Sequence, residues 1–158
     1  HTGYPVLGVV HVPVSGACYL GVKSDELTGS WVQAIDGAPR PISTRNANVE
    51  QLTVVASRDH AGPVVEAFLK RLSNAEVTSM GSSLKFCLVA EGKADFYPRV
   101  VPTFQWDTAA AQAIIEAAGG QLTELDGQRL AYRKDRLRNP SVMAFGDPAV
   151  DWPRFFRE

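Results

Sequence analysis

Cysteine is scarce, neither sign of charge dominates, and no apolar run is long. The two cysteines, Cys18 and Cys87, sit far apart among apolar neighbours without metal-ligand spacing. That argues against a disulfide scaffold or a thiolate metal centre, and reads as two buried free thiols in a reducing compartment. The formal net charge of -1 leaves no global field to recruit nucleic acid or an acidic membrane, so any anionic ligand needs a local site. No stretch approaches the ~18 apolar residues of a membrane span, and no signal peptide is visible. Of the three histidines, His1 is terminal and His11 lies among valines. Neither has a metal-type partner at ligand spacing, so both read as structural. There is no internal repeat and no low-complexity tract.

What is present suits a soluble globular domain: 45% hydrophobic and 21% charged residues over 158 positions, one ordinary domain by length. The chain opens on His1-Thr2-Gly3 and runs at once into an apolar stretch, which reads as a piece of something longer. Residues 6–12 are valine-rich and predict a strand buried on both faces, stopped by Pro13. Residues 17–22 and 31–35 follow at hairpin spacing, with turn residues at 15–16, 28–29 and 36–37. A polar segment with Pro39 and Pro41 then suggests a boundary, dividing the chain into 1–48 and 49–158.

Beyond that boundary strands and helices alternate. Strands are expected at 52–56, 77–80, 94–97 and 142–146. Helices are expected at 63–72, 84–90 and 107–118, the last alanine-rich and stopped by Gly119-Gly120. Residues 121–125 and 129–132 flank Asp126-Gly127, a hairpin signal. The alternation means an α/β layered fold. The tail 151–158 carries Trp152, Phe155 and Phe156 and is left open, docked or loose.

Four places could carry chemistry. Asp107 stands at the start of the strongest helix. It serves either as a helix-terminal aspartate satisfying free N–H groups or as a magnesium ligand beside a phosphate. Gly81-Ser82-Ser83-Leu84-Lys85 runs into a helix with small residues, hydroxyls and one cation; it is a phosphate cradle or a serine-capped helix with a surface lysine. It lacks the spacing of a P-loop. Ser57-Arg58-Asp59-His60 fills a strand-to-helix loop, where α/β proteins hold ligands; His60 binds there or caps the helix. Arg99, just past a predicted strand, is a phosphate fork or a surface arginine.

Taken in order, Gly81 through Gly92, Tyr97-Pro98-Arg99, Trp106-Asp107-Thr108-Ala109-Ala110 and Glu116-Ala117-Ala118-Gly119-Gly120 resemble the C-terminal signature of the inositol monophosphatase superfamily. Pro5 through Pro13 is similar to the stretch that follows that family's metal core. Within the superfamily the pattern is most similar to the CysQ-type 3'(2'),5'-bisphosphate nucleotidases. Lys85 and Arg99 are the reason, being basic where the inositol enzymes generally have no lysine and tend to carry an acidic group. Ala111 departs mildly from a frequent glycine. More severely, the family's upstream glutamate motif and its Asp-Pro-x-Asp-Gly-Thr motif do not occur.

The resemblance implies the C-terminal portion of a layered αβαβα fold, a mixed sheet flanked by helices and preceded by a few strands of an N-terminal sheet. Residues 1–48 would be terminal strands of the metal-core unit, and 49–158 would complete the substrate site. The implied activity is hydrolysis of the 3'-phosphate of 3'-phosphoadenosine 5'-phosphate to AMP, with 3'-phosphoadenylyl sulfate as a second substrate. Asp107 would be the catalytic carboxylate and a magnesium ligand. His60, Ser82, Ser83, Lys85, Arg99 and Asp107 would hold substrate. The intact enzyme would use two or three magnesium ions, most of whose ligands are absent here, so this chain alone is expected to be inactive. A cytoplasmic setting is implied, with the inner-membrane surface as a second one; the partner would be the missing N-terminal half, and a homodimer is left open. The alternatives are an inositol-phosphate phosphatase and a non-catalytic nucleotide-binding module.

Overall fold

The computed structural model describes residues 3–56, 62–72, 75–79, 81, 83–133 and 135–157. Four strands come first: β1 (Leu7–Val12), β2 (Ala17–Lys23), β3 (Thr28–Gln33) and β4 (Arg40–Pro41). There follow β5 (Thr53–Ala56), α1 (Gly62–Arg71), β6 (Glu76–Ser79), α2 (Leu84–Ala90), β7 (Phe96–Arg99), α3 (Gln105–Ala117), β8 (Gln121–Glu124), β9 (Val142–Phe145) and a short 3-10 helix (Trp152–Phe155).

The first sheet is an antiparallel meander in the order β1-β2-β3-β4. Thr28 and Gly29, expected in a loop, belong to β3 because they pair with Lys23 and Val22. The turn falls earlier, where the Ser24 hydroxyl accepts from the Leu27 N–H at 3.1 Å. The strand at 6–12 is not buried on both faces. Leu7 is 59% exposed and Val9 50%, while Gly8 between them is buried. β1 is an edge strand, and α3 covers only the face that Gly8 presents. A nearly all-apolar run therefore reports hydrophobicity on both faces without telling which of them this chain covers.

Gly8 pairs with Gly21 across β1 and β2, and the two glycines let α3 lie directly on the sheet. A Cβ on Gly8 would stand 2.0 Å from the Ala110 carbonyl oxygen, and one on Gly21 would stand 2.3 Å from the Ile114 Cα. Strand glycines often mark such close backbone approach.

The second sheet has the order β6-β5-β7-β9-β8. β5 pairs in parallel with β6 and β7, whereas β9 runs antiparallel to β7 and β8. It is the mixed sheet expected. Alternation along its strands feeds two cores. Val55, Tyr97, Val142 and Ala144 face α2, α3 and the first sheet. Val54, Phe96, Met143 and Phe145 face the other way, onto Phe68 of α1 and Trp152. The layers thus run sheet, helices, sheet, helix, and the tail docks through a fully buried Trp152 stacked on Phe96 at 4.8 Å.

Asp126-Gly127 makes the expected turn, with Gly127 at φ +92°. Its second arm is only a bridge from Arg129 to Thr123 rather than a strand. Both cysteines are free thiols. Burial pushes Cys87 up to about 12, with Glu91 adding to the effect, so it stays an unreactive thiol.

Candidate functional site

Parallel pairing brings the carboxyl ends of β5, β6 and β7, at Ala56, Ser79 and Arg99, to one edge of the second sheet. That edge is where open α/β sheets hold ligands. A cavity of about 170 Å³ opens there, lined by Ser83, Lys85, Phe86, Tyr97, Arg99, Thr103 and Asp107. Four residues singled out in the sequence, Ser83, Lys85, Arg99 and Asp107, therefore meet in one place. His60 and Ser82, also expected to hold substrate, lie outside the described residues, as do Ser57, Arg58 and Asp59.

Each cavity residue has a local reason for its position. Lys85 is the second residue of α2 and is only 5% exposed. Its stem lies in the core and its ammonium sits over the Tyr97 ring, 5.3 Å from the centroid. Burial lowers its pKa, and the nearby Arg99 charge lowers it further. Tyr97 and Arg99 alternate on β7 and so share a face. Burial pushes the Tyr97 phenol up, partly offset by Arg99, so the ring stays neutral.

Asp107 is the third residue of α3, because the helix starts at Gln105, two residues before the expected start. One carboxylate oxygen accepts the Phe104 N–H at 2.8 Å. Both readings of Asp107 thus have a foothold: it satisfies a helix-end donor, and it lines the cavity. The Ser83 hydroxyl donates to the Asp107 carbonyl at 3.1 Å, tying the start of α2 to the start of α3. Asn139 supports the same end from behind. Its amide donates to the Phe104 carbonyl at 2.8 Å and to the hydroxyls of Thr103 and Thr108.

Among the described residues, no salt bridge involves Lys85, Arg99 or Asp107. The cavity therefore presents two cations and one carboxylate that no described residue pairs in a salt bridge. Such a set suits an anion carrying more than one negative charge, with a cation bridging it to the carboxylate. The second Asp107 oxygen accepts no hydrogen bond from a described residue and is open to a ligand. Asp107 fits as one magnesium ligand, but it does not make a magnesium centre alone. No group of three or more His, Cys, Asp or Glu among the described residues could hold a metal.

The family profile described as Inositol monophosphatase family matches residues 1–147. The chain belongs to the inositol monophosphatase family. It is 40% identical over 139 residues to the 3'(2'),5'-bisphosphate nucleotidase CysQ of Escherichia coli K12, covering 87% of this chain and 54% of that protein. It is 38% identical over 130 residues to the protein of the same name from Buchnera aphidicola subsp. Acyrthosiphon pisum, covering 82% of this chain and 47% of that one. The crystal structure of CysQ from Bacteroides thetaiotaomicron, described as a bacterial member of the inositol monophosphatase family, superposes with a TM-score of 0.79 at 34% identity. It covers 99% of this chain and 60% of that one. The chain thus spans about half the length of the curated relatives it matches.

The sequence had pointed to the family through its motifs, and the fold and this match agree with it. Phe86, Tyr97 and Thr103 line the cavity and Asn139 supports it from behind, and none of the four was read beforehand as a site residue. Tyr97 carried a signal, being two residues before Arg99 on a predicted strand and hence on the same face. Thr103 and Asn139 carried none, since their roles depend on two loops meeting beneath α3.

Proposed function

We propose that this chain forms the substrate-side wall of a magnesium-dependent phosphatase. The reaction removes the 3'-phosphate of 3'-phosphoadenosine 5'-phosphate, giving AMP and phosphate, with 3'-phosphoadenylyl sulfate as a second substrate. In this reading residues 1–48 are the terminal strands of a metal-core unit, residues 49–158 complete the substrate site, and most magnesium ligands come from outside these 158 residues.

The observation that carries the reading is the pair of cations, Lys85 and Arg99, sharing one cavity with Asp107. A substrate with two separated phosphates matches two cations on one side and a metal-bridging carboxylate on the other. Asp107 offers its free oxygen to magnesium while its other oxygen stays anchored on the Phe104 N–H. What bound magnesium supplies is neutralisation of the scissile phosphate and an activated water. Lys85 and Arg99 bind the phosphate that is not cleaved and orient the nucleotide. Ser83 lines the cavity, and a bound phosphate competes with the Asp107 carbonyl for its hydroxyl proton. His60 and Ser82 complete the nucleotide contacts.

Titration calorimetry tests this with adenosine 3',5'-bisphosphate, AMP and inositol 1-phosphate. The bisphosphate should bind best. Lys85→Ala and Arg99→Ala should each weaken it about tenfold, the scale of a charge-assisted hydrogen bond. Equal binding of AMP and the bisphosphate overturns the nucleotidase reading. The purified chain with magnesium should release no phosphate, because one carboxylate cannot assemble the metal cluster; measurable release refutes that argument.

A further inference from the structure

We propose that Tyr97 is a positioning and specificity-determining residue: its ring face holds the Lys85 ammonium in the cavity without neutralising it. The proposal rests on the phosphate reading of the cavity and adds a residue and a device to it.

The physical problem is specific. A lysine side chain carries large rotamer freedom, which is lost when an anion immobilises it. A site that binds phosphate well must therefore hold its lysine in place beforehand. The usual partner, a carboxylate, would hold the ammonium but cancel the charge that the substrate needs. No described carboxylate forms a salt bridge with Lys85. An aromatic face is the other way to hold a cation, because its quadrupole attracts charge while carrying no net charge.

Three observations place Tyr97 in that role. The Lys85 ammonium lies 5.3 Å from the centroid of its ring, within the distance over which such attraction operates. The ring is itself fixed, buried at the centre of the second sheet and packed edge-to-face on Phe86 at 4.8 Å and 67°. Lys85, Phe86, Tyr97 and Arg99 all line the same cavity. The phenol stays neutral because burial pushes it up, so the ring attracts the cation across the neutral pH range. Phe86 follows Lys85 directly on α2, so one helical turn brings both the cation and the group that orients the ring.

The role belongs to the ring, so the hydroxyl should be dispensable. The test compares wild type, Tyr97→Phe and Tyr97→Met, the last keeping an apolar side chain that packs on Phe86. Adenosine 3',5'-bisphosphate, AMP and adenosine are titrated without metal. In parallel, NMR records the Lys85 ε-methylene protons, which a ring face shifts upfield. Tyr97→Phe should keep both the shift and the wild-type affinity for the bisphosphate. Tyr97→Met should lose the shift, bind the bisphosphate and AMP, which both carry the phosphate that Lys85 holds, about threefold to tenfold more weakly, and bind adenosine almost unchanged.

Wild-type affinity in Tyr97→Met overturns the role of Tyr97 and leaves the phosphate site standing. Failure of the wild type to prefer the bisphosphate and AMP over adenosine overturns the phosphate reading instead. If Tyr97→Met does not fold, the shift decides: ordinary Lys85 methylene positions in wild type and in Tyr97→Phe refute the contact.

Discussion

Substituting Gly8 by alanine should destabilise the protein, although the same change usually helps. At a strain-free position Gly→Ala stabilises by about 0.4–1 kcal/mol through the unfolded chain. Here the new Cβ would stand 2.0 Å from the Ala110 carbonyl oxygen, where ordinary contact begins at 3.4 Å. The space is short by 1.4 Å, and the neighbour is helix backbone, which cannot rotate aside. Overpacking of this kind costs about 1–3 kcal/mol, and a backbone obstacle puts Gly8→Ala at the upper end. For a chain of this size that is a fall in melting temperature of roughly 6–12 °C. Calorimetry or circular dichroism reads it directly. Gly37→Ala is the control, since its Cβ would meet only Ala34, in ordinary contact at 3.4 Å or more, and it should melt at or slightly above wild type. Gly21→Ala should behave like Gly8→Ala. Because the two glycines pair across the strands and obstruct the same helix, the double variant should lose less than the sum. A Gly8→Ala protein as stable as wild type would mean that α3 does not lie on β1 as described, and the placement of Asp107 at its start would fall with it.

Four further outcomes follow from the same structure. Glu91 accepts from the Tyr19 hydroxyl at 3.0 Å and pairs with Arg40 and Lys93. Burial opposes its ionisation, but the bonds from Lys93, Tyr19 and Arg40 outweigh it and hold the carboxyl below its ordinary value. A depressed carboxyl contributes stability that is present above its unfolded pKa near ~4.3 and lost as pH falls through the folded one. Glu91→Gln should thus cost about 1–2 kcal/mol at pH 7, modest because Arg40 and Lys93 are each 60% exposed. Denaturant melts should show the gap narrowing as pH falls below the unfolded value near ~4.3; a gap that does not change with pH refutes the pairing. Asn139→Ala should lower stability by about 1–3 kcal/mol by removing its bonds to the Phe104 carbonyl and the Thr108 hydroxyl and leaving the Thr103 hydroxyl without another described partner; a Tm equal to wild type counts against it. Trp152→Ala should cost about 3–5 kcal/mol, because the ring is fully buried; a loss under 1 kcal/mol in urea would mean that the tail does not dock. Finally, the apolar outer side of β1, with Leu7 and Val9 uncovered, should drive self-association in sedimentation; Leu7→Lys should reduce it, and a wild-type monomer at high concentration contradicts the expectation.

Local pattern in the sequence determined the elements and much of the site. Helix α2 appears at the expected residues 84–90, and Gly92 at positive φ stops it. The alanine-rich stretch before Gly119-Gly120 became α3, stopped in the same way, and residue type together with the family resemblance pointed to Ser83, Lys85, Arg99 and Asp107, which meet at one cavity. Tertiary structure decided what no local pattern encodes. Whether the valines of β1 are covered depends on what packs against each face, and periodicity records only that they are apolar. That Gly8 and Gly21 serve helix packing, that Asn139 holds the loop behind Asp107, and that Lys85 meets a ring instead of a carboxylate are all contacts between segments far apart in the chain. Each depends on distances set by the assembled layers, so none leaves a trace in spacing or composition.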